Sequence, residues 1–139
     1  MTGLAWRLLT FALLWHMGVA VAQSSPGAPQ SEAGDALRGR AIVASRQLGL
    51  CLLCHSAPVG DERTQGNLAP SLAGAGSRWS AAQLRQRIAN PRSLNPDSIM
   101  PAYARTEGLN RVGPAWTGQA LLNDQQINDV VAYLVTLQN

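Results

Sequence analysis

Cys51 and Cys54 stand three positions apart in the run CLLCH, and His55 follows the second directly. They are the chain's only cysteines, and His55 is one of two histidines. On a helical turn this spacing presents both thiols on one face, where they can form thioethers with the two vinyl groups on one edge of a porphyrin. The adjacent imidazole then projects over the ring and offers a nitrogen to iron. Cys-x-x-Cys-His is the attachment pattern of c-type haem, so one covalently bound haem c per chain is the expected cofactor. Zinc is a poor competitor, because a structural site usually takes four protein ligands and, beyond the N-terminal segment, no cysteine or histidine remains after Cys51, Cys54 and His55. A thioredoxin-like redox motif needs a βαβ setting that the sequence does not suggest. A plain disulfide is ordinary in an oxidising compartment, but it gives His55 no role.

The opposite face of the iron is approached by elimination. The sequence has no lysine, and Met100, in SIMPAY, is the one methionine beyond the N-terminal segment. A thioether opposite an imidazole raises the reduction potential of haem iron. His55 and Met100 are therefore the expected axial pair, with Tyr103, water or a vacant position as the alternatives. Arg78 and Trp79 are candidates to hydrogen-bond the haem propionates. The competing readings are an exposed arginine and a core tryptophan.

Elements must position these groups. Leu37, Ala41, Ala44 and Leu48 recur at helical spacing, which predicts a first helix from about Asp35 to Leu48, stopped by Gly49. SAAQ, from Ser80 to Gln83, is a capping box. It opens a second helix that buries Leu84 and Ile88 and ends at Pro91. Asn123 caps a third, whose stripe is Ile127, Val130, Val131, Leu134 and Leu137. Glycine- and proline-rich loops lie between, and no strand is convincing. The expected class is all-α, with about three main helices and long loops wrapped around one haem.

The first 22 residues read as a secretory signal peptide. Arg7 precedes an apolar run from Leu8, and Ala20-Val21-Ala22 forms a cleavage pattern. An uncleaved anchor is the rival reading, weakened by the run's short length and by Thr10, His16 and Gly18. Cleavage would remove His16, Met1 and Met17, and would leave no membrane span. Residues 23–34 read as a flexible linker and residues 35–139 as one domain. Every basic side chain is arginine, and the formal charge is +3. The arginines are scattered among acids, which gives no nucleic-acid patch.

The order helix, CxxCH, Pro-x-Leu-x-Gly loop, Met-Pro loop and amphipathic C-terminal helix resembles the class I cytochrome c fold. That resemblance implies that Pro70, in NLAPSL, offers its carbonyl to His55, and that Gly39 and Tyr133 lie where the first and last helices cross. GLCLLCHSAP, QGNLAPSLAGAGSRW, LRQRIANPRSLNPDSIMPAYAR, GLNRV and INDVVAYLVTLQ together are similar to the SoxX family. Its members are the small monohaem subunits of the SoxAX cytochromes of bacterial thiosulfate oxidation. VGPAWTGQALL departs from the simpler turn expected before the last helix.

The family resemblance implies a periplasmic heterodimer with a SoxA-type cytochrome. The SoxA-type subunit joins thiosulfate oxidatively to a cysteine of the SoxYZ carrier. The present chain would receive the electrons and pass them to a small soluble cytochrome c. It would then be the electron-transfer subunit of an L-cysteine S-thiosulfotransferase, without bond-making chemistry of its own. A free-standing periplasmic electron shuttle and a haem-based gas-binding protein are the alternative functions.

Overall fold

The computed structural model describes residues 33–138. The signal segment 1–22 and most of the linker 23–34 lie outside the described residues. Among the described residues four α-helices follow in order: α1 (Ala36–Ala44), α2 (Ala75–Arg78), α3 (Ala81–Ala89) and α4 (Asp124–Thr136), with short 3-10 turns between them. No strand occurs among the described residues, and none of their helices is long and apolar enough to cross a membrane.

The two later main helices match their sequence signals closely. Ser80 accepts from the Gln83 N–H, the Gln83 side chain returns to the Ser80 N–H, and Leu84 and Ile88 are buried. Asn123 and Gln126 form a second, equally reciprocal box at the start of α4. There Ile127, Val130, Val131 and Leu134 are buried. Each box satisfies two N–H groups that a helix start would otherwise leave unpaired.

The first helix departs from its expectation. It ends at Ala44, with Ser45 as its C-cap. The face marked by Leu37, Ala41, Ala44 and Leu48 is the outer one, and Leu37 is 81% exposed. Gly39, Ile42 and Val43 face inward instead. The reason is the contact with α4. A Cβ on Gly39 would lie 1.9 Å from the Asp129 carbonyl oxygen and 3.0 Å from Tyr133 Cβ. The bare backbone at Gly39 thus allows α1 and α4 to touch, and that contact, not the leucines, chooses the face.

An ion pair seals the crossing. Asp129 is 2% exposed. It accepts from Arg38 Nε at 2.8 Å, Arg38 Nη2 at 2.9 Å, the Asp35 N–H at 2.8 Å and Gln125 Nε2 at 3.0 Å. The Arg38 hydrogen bonds, aided by those from Asp35 and Gln125, hold its pKa down to about 2, while burial works in the opposite direction.

Two predictions follow from this crossing. Gly39→Ala should destabilise the haem-loaded protein by about 3 kcal/mol, as overpacking against backbone does, measured by denaturant unfolding. Asp129 has a folded pKa below its ordinary value of 3.8. Its contribution is therefore complete above that value and is lost as pH falls from there towards about 2. Asp129→Asn should cost about 2 kcal/mol at neutral pH and flatten this acid limb of the stability–pH curve.

Candidate functional site

The CLLCH run folds as one 3-10 turn, Cys51–Leu53, entered through Leu50 at φ 58°. The N–H groups of Cys54 and His55 both donate to the Cys51 carbonyl, at 3.2 and 2.9 Å. Three hydrogen bonds clamp the following segment to the next loop: Gly66 N–H to Leu52 O, Ala69 N–H to Cys54 O, and Leu72 N–H to Ser56 O, at 2.8, 2.9 and 2.8 Å. The same loop carries Pro70, whose carbonyl oxygen lies 2.6 Å from His55 Nδ1. A carbonyl can only accept, so Nδ1 carries a proton, and Nε2 is the nitrogen left to offer a metal. Cys51 and Cys54 are both free and half-buried.

The turn forms one wall of an apolar cleft. Val43, Leu122, Val130 and Leu134 from the core line it, with Cys51, Cys54 and His55 on one side and Met100, Pro101 and Tyr103 also in the lining. It encloses about 860 Å³ of empty space, its open mouth included. His55, Leu72, Ile88, Met100 and Leu134 also line an adjoining compartment, which extends to Pro70, Arg78, Trp79 and Arg87. His55, Met100, Cys51 and Cys54 thus come together, and Pro70, Arg78 and Trp79 border the same cavity system.

Arg78 and Arg87 differ in their commitments. The guanidinium of Arg78 donates to Ala73 O at 2.7 Å and Ser71 O at 2.8 Å, which braces the loop that holds His55. Arg87 stacks its guanidinium carbon 3.6 Å from the centre of the Trp79 ring. Its Nε is buried and has no hydrogen-bond partner among the described residues. A buried donor without a partner is costly, and this one borders an apolar cleft. An anionic group carried by a bound ligand would satisfy it. Sequence reasoning passed over Arg87. Its signal was its place beside Ile88 and one turn after Leu84, on the flank of the buried stripe of α3.

The donor set fits haem. Two thiols, an imidazole nitrogen, a thioether, an apolar slot and an unpaired arginine donor match its vinyl edge, iron, ring and carboxylates in turn. Tyr103 is 3% exposed, and its hydroxyl donates to Gly49 O at 2.6 Å. Burial, reinforced by the neighbouring cysteines, raises its pKa far above the ordinary value, so it stays a neutral phenol. Burial also raises the Cys51 thiol. The unusual segment before α4 forms a 3-10 turn, Pro114–Trp116. It leaves Trp116 53% exposed in a groove with Ile99, Met100 and Leu109.

Residues 36–138 match the family model for cytochrome c. The chain belongs to the cytochrome c family. Haem covalently bound through cysteines, and electron transfer, are the properties of that family. The solved structures include a similar one, the crystal structure of SoxXA from P. pantotrophus. It is 39% identical, with a TM-score of 0.70, and the match covers 77% of this chain and 84% of that one. The similarity to SoxX read from the sequence is thereby upheld, as is the all-α class I fold. No curated protein matches the chain.

Loss of positive charge beside a haem favours the oxidised state. Arg87→Met should therefore lower the reduction potential of the haem-loaded protein. Arg78→Met, whose guanidinium is held by backbone carbonyls, should lower it less. Potentiometric titration of both variants checks the order.

Proposed function

We propose that the chain is a SoxX-like electron-transfer subunit, carrying one haem c and working beside a SoxA-type cytochrome. The observation that carries this reading is the convergence of His55, held at Nδ1 by Pro70, with Met100, Cys51 and Cys54 in one apolar cleft. The 39% identity to a SoxXA chain supports the choice of partner. When bound, haem supplies a one-electron redox centre.

Each residue then has a task. Cys51 and Cys54 would hold the haem covalently through thioethers. His55 would offer Nε2 to the iron while Pro70 fixes the orientation of its ring. Met100 would hold the iron through its thioether sulfur, a ligand that favours the reduced state. Its assignment over Tyr103 is supported by the Tyr103 hydroxyl, which is engaged with Gly49 O. Arg87 would pair with a haem carboxylate, its guanidinium packed against Trp79. Arg78 braces the loop that carries Pro70 and stands near enough to the same compartment to assist. The apolar walls keep water from the iron and lower the energy needed to reorganise around it.

In this role the chain performs no bond-making chemistry. Joining thiosulfate to a carrier thiol releases two electrons. The chain receives them singly from the SoxA-type subunit and passes them to a small soluble cytochrome c. The reading includes export: cleavage after Ala22, a linker over residues 23–34, and a domain over residues 35–139 that works in the periplasm.

Expression in a host competent for cytochrome maturation tests the proposal. The mature chain should have the mass of residues 23–139 plus one haem. Met100→Ala should keep the haem but lose the weak far-red sulfur-to-iron absorption and lower the reduction potential. Co-expressed with a SoxA-type subunit, the wild-type chain should co-purify with it. Its haem should then be reduced by thiosulfate and SoxYZ only in the partner's presence. A chain that stays monomeric at micromolar concentration beside that partner would overturn the assignment to the complex. An unchanged Met100→Ala spectrum would overturn the ligand.

A further inference from the structure

Met100, Pro101 and Tyr103 line the cleft, and the segment they belong to is fastened at Tyr103. The Tyr103 N–H donates to Ile88 O at 3.1 Å and its carbonyl accepts from the Leu122 N–H at 3.1 Å. These bonds tie the segment to α3 and to the approach to α4. The third tie runs across the cleft. The Tyr103 hydroxyl donates at 2.6 Å to the carbonyl of Gly49, two residues before Cys51. Gly49 packs closely against the end of α1, since a Cβ there would lie 2.1 Å from Ile42 O. The Cys51 thiol donates to the same carbonyl at 3.3 Å. A thioether has no S–H, so once Cys51 is bonded to haem that second donor is gone. Tyr103 then remains as the carbonyl's side-chain donor.

We infer that Tyr103 is a positioning residue for the sixth iron ligand: its hydroxyl latches the Met100 segment to the haem-attachment turn. The inference rests on the reading of Met100 as that ligand. Only two residues separate Met100 from Tyr103, a reach of about 10 Å even when fully extended. With the hydroxyl engaged, the segment cannot swing outward without breaking a buried hydrogen bond. With it removed, Met100 leaves the iron more often and an external ligand enters.

The test uses the haem-loaded protein. Tyr103→Phe keeps the ring and deletes the hydroxyl, which leaves the Gly49 carbonyl without it. The rate at which the ferric protein binds imidazole should rise about tenfold, the effect of losing about 1.4 kcal/mol. The far-red sulfur-to-iron absorption should persist at neutral pH, and the mass should show haem still attached. Asp129→Asn, at the α1–α4 crossing, is the control for general loss of stability, followed by denaturant unfolding of both variants. It should leave the imidazole rate within about twofold of wild type. A Tyr103→Phe rate within that margin overturns the latch, as does an equal acceleration in Asp129→Asn. Absence of the far-red absorption from the wild-type protein overturns the Met100 reading itself, and the latch with it.

Discussion

The approach of α1 to α4 at Gly39 is the constraint on which the rest of the molecule depends. With a Cβ excluded by the Asp129 carbonyl, the two helices meet backbone to backbone, and Arg38 and Asp129 close the contact. That crossing turns Ile42 and Val43 inward and fixes the place where α1 must end. The chain leaves α1 through Ser45, whose N–H still bonds to Ala41 and Ile42. It then reaches Leu50, whose left-handed backbone aims the cysteine turn into the cleft. A shift of α1 along α4 would carry the whole attachment turn with it.

The cleft therefore has one wall set by helix packing and another set by loops. The core side, from Val43, Val130 and Leu134, is rigid because those residues sit inside a packed interface. The loop side depends on hydrogen bonds between segments distant in sequence. The segment 66–72 holds the turn that bears His55, and Arg78 in turn holds that segment. Tyr103 joins the opposite loop to the same turn. Loops of this length need such ties to keep a single conformation. Here the ties converge on the backbone around the cysteines, so order in the loops and order at the site are one property.

For a cytochrome this arrangement is economical in function. An electron carrier gains by changing little between its two redox states, since movement adds to the barrier for transfer. A cleft walled by packed aliphatic side chains, with the imidazole held through Nδ1 and the Met100 segment fastened at Tyr103, resists movement on both of its sides. Arg87 adds a positive charge to the adjoining compartment. It is supported by the Trp79 ring but has no protein acceptor for Nε among the described residues.

The sequence by itself determined the attachment motif, the Ser80 capping box, the Asn123 cap and the buried stripes of α3 and α4. Each is a local pattern whose physics is complete within one or two helical turns. The family resemblance also pointed to Gly39 as a contact residue and to Pro70 beside His55. The buried face of α1 was not legible, because four apolar residues at helical spacing suggested the wrong side and Gly39 carries no hydrophobic signal. Arg87 and the Tyr103–Gly49 bond were equally hidden. An arginine reads the same whether its Nε faces water or an apolar slot, and a hydroxyl finds a carbonyl 54 residues away only when the chain has folded. Tertiary structure decided those features, since they depend on which backbone atoms approach each other and on what is left unpaired when they do.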